Sequence, residues 1–132
     1  MPTQWRRDQG LHNVGHLFCS LRQRFMNPHS LNQILTRLRD YFQITYSSEL
    51  VHLILFGSQA RQEADLDSDI DILVVLDRAI DAWTENERTA GFISELCLEY
   101  SVVISVIFTS SVQYQAKSTA LFRNIDREGI LL

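Results

Sequence analysis

Apolar residues fall along this chain in two rhythms: steps of three and four that fit helices, and short unbroken runs that fit strands. Leu11, Val14, Phe18, Leu21 and Phe25 form the first stripe, an amphipathic helix ended by Asn27-Pro28. Ser30 and Gln33 make a capping-box pair for the next helix, with Leu31, Ile34, Leu35, Leu38 and Phe42 on its buried face and an end near Thr45. Tyr46 to Glu49 connects it to a buried strand, Leu53 to Phe56, which Gly57 stops abruptly. Gln59 to Ala64 are good helix formers, and Ile70 to Leu76 is a second apolar, β-branched run. After a turn over Asp77 to Ala82, Thr84 and Glu87 form another capping pair, opening a helix that buries Ala90, Ile93, Leu96, Cys97 and Tyr100. Val102 to Phe108 is the third strand. Ser110 or Ser111 caps the tail helix, with Tyr114, Leu121, Phe122 and Ile125 inward, Gly129 ending it and Ile130 to Leu132 a short last strand. The pattern predicts an α/β domain over residues 30–132, a small mixed sheet of three or four strands with helices packed on it. Residues 1–29 form a helical extension to it.

Composition narrows the class. A chain of 132 residues with 45% hydrophobic and 21% charged residues is that of one globular domain. No apolar run approaches the ~18–20 residues of a membrane span, and the N-terminal stretch carries no secretory h-region. Cys19 and Cys97 lack metal-type spacing and read as thiols in a reducing cytoplasm. The net charge of −4 speaks against general nucleic-acid affinity. That charge is uneven: Arg6, Arg7, Arg22 and Arg24 face only Asp8 in the first thirty residues, making the extension basic. The extension is either packed on the domain or a docking element for an acidic or helical partner. His12 and His16 lie one helical turn apart on it, with no third ligand evident, and read as surface histidines.

The chemistry concentrates between Leu53 and Asp77. Gly57-Ser58 turns the chain sharply into a helix, setting backbone N–H groups and the Ser58 hydroxyl where a phosphate is well bound. Asp69 and Asp71 open the next strand and, two residues apart, project from the same side. Two such carboxylates can hold a hard divalent cation that shares its shell with substrate phosphates. A calcium loop, suggested by the alternation of Asp65, Asp67, Asp69 and Asp71, fails because its sixth and twelfth positions are Ile70 and Leu76 rather than Gly and Glu. Arg61, on the short helix, meets either a triphosphate or a neighbouring carboxylate. The bland reading of the acid pair is structural, but two acids opening a buried strand need a partner that the sequence does not name.

Gly57-Ser58, ten residues, then Asp69-x-Asp71 resembles the GSx10DxD signature of the DNA polymerase β-like nucleotidyltransferases. The wording LFGSQARQEADLDSDIDILV is most similar to the minimal branch of that superfamily, with Gln62 where the branch often has Gly. LFRNIDREGILL looks like its closing segment, in which Glu128 either ends the helix or reaches the nucleotide. The resemblance implies the polymerase β-like fold, ATP as substrate and Mg²⁺ as cofactor. It implies that Asp69 and Asp71 are catalytic and bind the metal, and that Gly57, Ser58, Arg61 and Ser68 bind nucleotide. It further implies an antitoxin that transfers AMP to a tyrosine of a HEPN-domain ribonuclease toxin in a hetero-oligomer. The superfamily's third carboxylate corresponds to Ser105, a departure that weakens the site because serine brings no charge. A non-catalytic protein that neutralises its partner by contact is therefore the alternative. An aminoglycoside-type transferase needs an acceptor pocket for which this chain is short.

Overall fold

The computed structural model describes residues 28–61 and 69–132. The basic stripe of the extension, His12, His16, Cys19 and the acidic positions Asp65 and Asp67 lie outside the described residues. Helix α1 (Pro28–Tyr46) begins at Pro28 rather than at Ser30, because proline's fixed φ suits a first helical turn. Its apolar positions Ile34, Leu38 and Phe42 are fully buried, as their spacing requires. A single 3₁₀ turn (Ser47–Glu49) leads into β1 (Leu50–Phe56), three residues longer at its start than its apolar run.

The short helix α2 (Gly57–Arg61) follows at once, and β2 (Ile70–Leu76) has the bounds its pattern predicts. Helix α3 (Ala82–Tyr100) starts two residues before Thr84. Thr84 is thus inside its first turn and donates a 2.6 Å hydrogen bond back to Asp81, the N-cap residue. Ser101 ends α3 in the left-handed region, and the Val102 N–H still bonds to Cys97 O. This helical exit delays β3 (Ile104–Ser110) by two residues relative to its β-branched run. The tail forms two helices rather than one. Ser110 caps α4 (Ser111–Ala116), Lys117 breaks it at φ 50°, and Thr119 caps α5 (Ala120–Glu128). The restart shifts the helical phase, so Ile125 turns inward while Leu121 stays 42% exposed.

The strands form one mixed sheet in the order β3-β2-β1-β4, where β4 is Ile130–Leu131. The β1–β2 and β1–β4 pairs are antiparallel, and β2–β3 is parallel with α3 as the crossover. Central strand β2 is apolar on both faces. Its even-numbered residues Ile72 and Val74 pack with Leu53, Leu55, Phe42 and Leu96 under α1 and α3. Its odd-numbered residues Leu73 and Val75 pack with Ile54, Tyr114 and Ile125 under α4 and α5. Among the described residues no helix is long and apolar enough to cross a membrane.

The expected apolar face of α3 is partly replaced by a polar one. Ala90 is exposed, whereas Glu85 and Thr89 are buried beside Leu96. The Glu85 carboxylate accepts from the Tyr46 hydroxyl at 2.7 Å, Arg78 Nη2 at 3.2 Å and Arg88 Nε at 3.1 Å. Burial favours its neutral form, but these bonds and the two guanidiniums prevail and hold its pKa below the usual glutamate value. The Tyr46 hydroxyl is pushed upward by its burial and by the same carboxylate. Further along, Tyr41 stacks on Phe92 at 3.9 Å and Arg37 pairs with Glu99 at 2.8 Å, so α1 and α3 are joined over most of their length.

Candidate active site

The chain reverses where β1 meets α2. Gly57 has φ +76°, a conformation that an L side chain reaches only with strain. Space excludes a side chain as well. A Cβ built on Gly57 would lie well inside contact distance of Asp71 Oδ2 and 3.3 Å from Asp71 Cγ. The glycine is therefore what lets the turn press directly on the carboxylate of β2. Ser58, one residue on, is half-buried in the first turn of α2.

Asp71 is fixed on both sides by the sheet, facing Phe56 of β1 and Ser105 of β3 in register. Paired residues of neighbouring strands point to the same face. Ser105 is thus on the Asp71 side, one strand spacing away, and is half-buried. Asp69 immediately precedes β2 and is exposed. Burial raises the Asp71 pKa, and the nearby Asp69 charge raises it further. Two carboxylates that repel each other in this way, beside a turn of backbone amides, are a donor set suited to a hard divalent cation, whose charge would relieve the repulsion. Among the described residues no group of three or more His, Cys, Asp or Glu side chains could hold a metal ion.

The structure thus brings together Gly57, Asp71 and Ser105, with Ser58 next to Gly57 in the chain and Asp69 at the rim. Ser68 lies outside the described residues. Arg61 ends α2 and pairs with Glu128 of α5 at 3.5 Å, the second of the two contacts its sequence position left open. Arg127 joins Glu128 through its other oxygen at 3.8 Å. In the sequence Arg127 reads only as part of a helix C-terminal signal, because an arginine in the last turn of a helix is ordinary.

Residues 31–128 match the nucleotidyltransferase domain family. The chain belongs to that family. A proposed protein adenylyltransferase of Methanocaldococcus jannaschii is 36% identical over 88 residues, covering 66% of this chain and 82% of that protein. Two crystal structures of toxin–antitoxin complexes share the nucleotidyltransferase fold. A complex with AMP-PNP superposes with a TM-score of 0.51 at 23% identity, covering 76% of this chain and 69% of the other. An MntA-HpeT complex carrying a substitution gives 0.50 at 24%, with the same coverage. The glycine turn and acid pair thus sit in a nucleotidyltransferase domain, and the mixed sheet with its packed helices is a fold shared with chains of these two complexes.

Proposed function

We propose that this nucleotidyltransferase moves AMP from ATP to a tyrosine hydroxyl of a HEPN ribonuclease toxin, acting in the cytoplasm as the antitoxin of that pair. The observation that carries the reading is the contact of Gly57 with Asp71, which sets a phosphate-binding turn against an acid pair. In this reading Gly57 and Ser58 hold the β- and γ-phosphates, Arg61 and Ser68 add contacts to the nucleotide, and Asp69 and Asp71 are the catalytic carboxylates. Asp69 and Asp71 would hold Mg²⁺, which supplies charge neutralisation at the phosphates and polarises the acceptor hydroxyl. The two carboxylates orient the acceptor oxygen toward the α-phosphorus. The new bond is oxygen to α-phosphorus, the bonds broken are the tyrosine O–H and that between the α-phosphorus and the oxygen bridging it to the β-phosphorus, the hydroxyl proton passes to solvent, and pyrophosphate leaves. The toxin partner and the AMP acceptor are supported by the toxin–antitoxin structures of like fold and by the adenylyltransferase relative.

Intact-mass spectrometry of a HEPN-domain toxin, after incubation with the chain, ATP and Mg²⁺, tests the reading. A gain of one or more AMP units, absent with Asp69→Ala/Asp71→Ala, is expected. Ser105 favours a second reading, in which the fold neutralises its partner by contact alone. In that case the double variant still silences the toxin and no mass is gained.

A further inference from the structure

Helix α5 brings charge to the same corner as the acid pair. Ile125 packs with Ile54 and Leu73 on the face of the sheet that also carries Asp71 and Ser105. Nearly one turn further along, Glu128 reaches Arg61 with Oε1 at 3.5 Å and Arg127 with Oε2 at 3.8 Å. Arg127 is in turn bonded to Asn124 Oδ1 at 2.7 Å. The backbone behind Glu128 is pinned. A Cβ on Gly129 would lie 2.5 Å from Ile54 Cγ2 and 2.6 Å from Ile125 O, so only glycine permits this approach. Ile130 and Leu131 then pair with Leu55 and Ile54, on the strand that runs into Gly57. Arg61 stands four residues after Gly57, and so on the same side of α2 as the residue that touches Asp71.

We propose that Glu128 is a positioning residue, holding the Arg61 guanidinium ready for the triphosphate of ATP; this rests on the adenylyltransferase reading. An unrestrained arginine gives up its rotamer freedom each time a phosphate binds, and a carboxylate that already holds it removes part of that cost. One carboxylate shared between two guanidiniums leaves the cluster with a net charge of about +1, attractive to an anion that must approach two aspartates. Two half-exposed side chains limit the effect to a few fold.

The test is calorimetric binding of AMP-PNP with Mg²⁺ to the full chain and to Glu128→Ala, Glu128→Asp, Arg61→Ala and the Arg61→Ala/Glu128→Ala double variant. Glu128→Ala is expected to weaken binding by about three- to fivefold, with part of the loss restored in Glu128→Asp. Arg61→Ala weakens it by at least about tenfold, and adding Glu128→Ala causes no further loss. That non-additivity separates positioning from a merely structural contact, which would weaken binding independently of Arg61. Wild-type binding unchanged by Glu128→Ala, or losses that simply add, would overturn the proposal. Absence of AMP-PNP binding by the wild-type chain would instead sink the adenylyltransferase reading itself.

Discussion

Replacing Gly57 by alanine tests the site at its tightest point. The backbone there has φ +76°, and holding an L residue in that region costs about 1–2 kcal/mol. The new methyl also meets the Asp71 carboxylate, which must retreat by roughly 1 Å to restore ordinary van der Waals contact. The retreat has to come from the side chain, because Phe56 and Ser105 pin the Asp71 backbone from both sides. A misplacement of about 1 Å at a reacting centre commonly costs on the order of a hundredfold in rate. Gly57→Ala is therefore expected to lower the unfolding midpoint by a few degrees and AMP transfer by about two orders of magnitude. The assays are thermal unfolding by circular dichroism and the rate of AMP gain by mass spectrometry. Gly91→Ala is the control: its added Cβ meets nothing within 4 Å, and losing a glycine from a helix interior should stabilise by about 0.5–1 kcal/mol. A Gly57→Ala protein that transfers AMP within twofold of wild type, while Gly91→Ala behaves as expected, would show that the Gly57–Asp71 contact does not set the reaction geometry.

Glu85→Ala leaves the buried Tyr46 hydroxyl without its acceptor and two guanidiniums without a shared carboxylate, a loss of about 2–4 kcal/mol measurable by urea unfolding. Because the folded Glu85 pKa lies below the unfolded one, its contribution is complete above the unfolded glutamate value and fades as pH falls through the lower folded value. Glu85→Gln should therefore flatten the acid limb of the stability–pH curve, and an unchanged limb would refute the assignment. Ser105→Asp sets a third carboxylate beside Asp71 and raises the Asp71 pKa further. That variant should melt earlier than wild type without Mg²⁺ and recover more on its addition, by differential scanning calorimetry. Gly129→Ala forces a methyl against Ile54 and the Ile125 carbonyl, costing about 1–3 kcal/mol in chemical denaturation.

The parts of the fold that follow from local pattern were legible in the sequence. Ile70 to Leu76 contains only apolar residues around Asp71, long enough for a strand and too short for a helix, and its bounds hold to the residue. The sharp turn at Gly57-Ser58 was also legible in the glycine, and Ser105 lies in register with Asp71 on the neighbouring strand. What was hidden depends on partners remote in sequence. Glu85 reads as a solvated helix charge until Tyr46, Arg78 and Arg88 close around it. The delayed start of β3 was concealed because Val102 and Val103 are good strand residues, yet the left-handed turn at Ser101 keeps Val102 bonded to α3. Lys117 breaks the tail with a positive φ normally signalled by glycine or asparagine, so two helices looked like one. Arg61 had two plausible partners, and no local rule chooses between a phosphate and a carboxylate on a helix sixty-seven residues away.

Strand β2 is flanked on both edges and covered on both faces, with Ile70 and every residue from Ile72 to Leu76 fully buried. Backbone amides in such a strand exchange with solvent only when the whole molecule opens. Asp71 is rooted in the least deformable part of the protein, so its backbone cannot loosen ahead of global unfolding, whereas Asp69, exposed just before the strand, is outside that frame. Whatever movement admits a nucleotide or an acceptor has to be borne by the surrounding turns and helices. A change of acceptor can accordingly be made at the periphery while the carboxylate frame stays as it is.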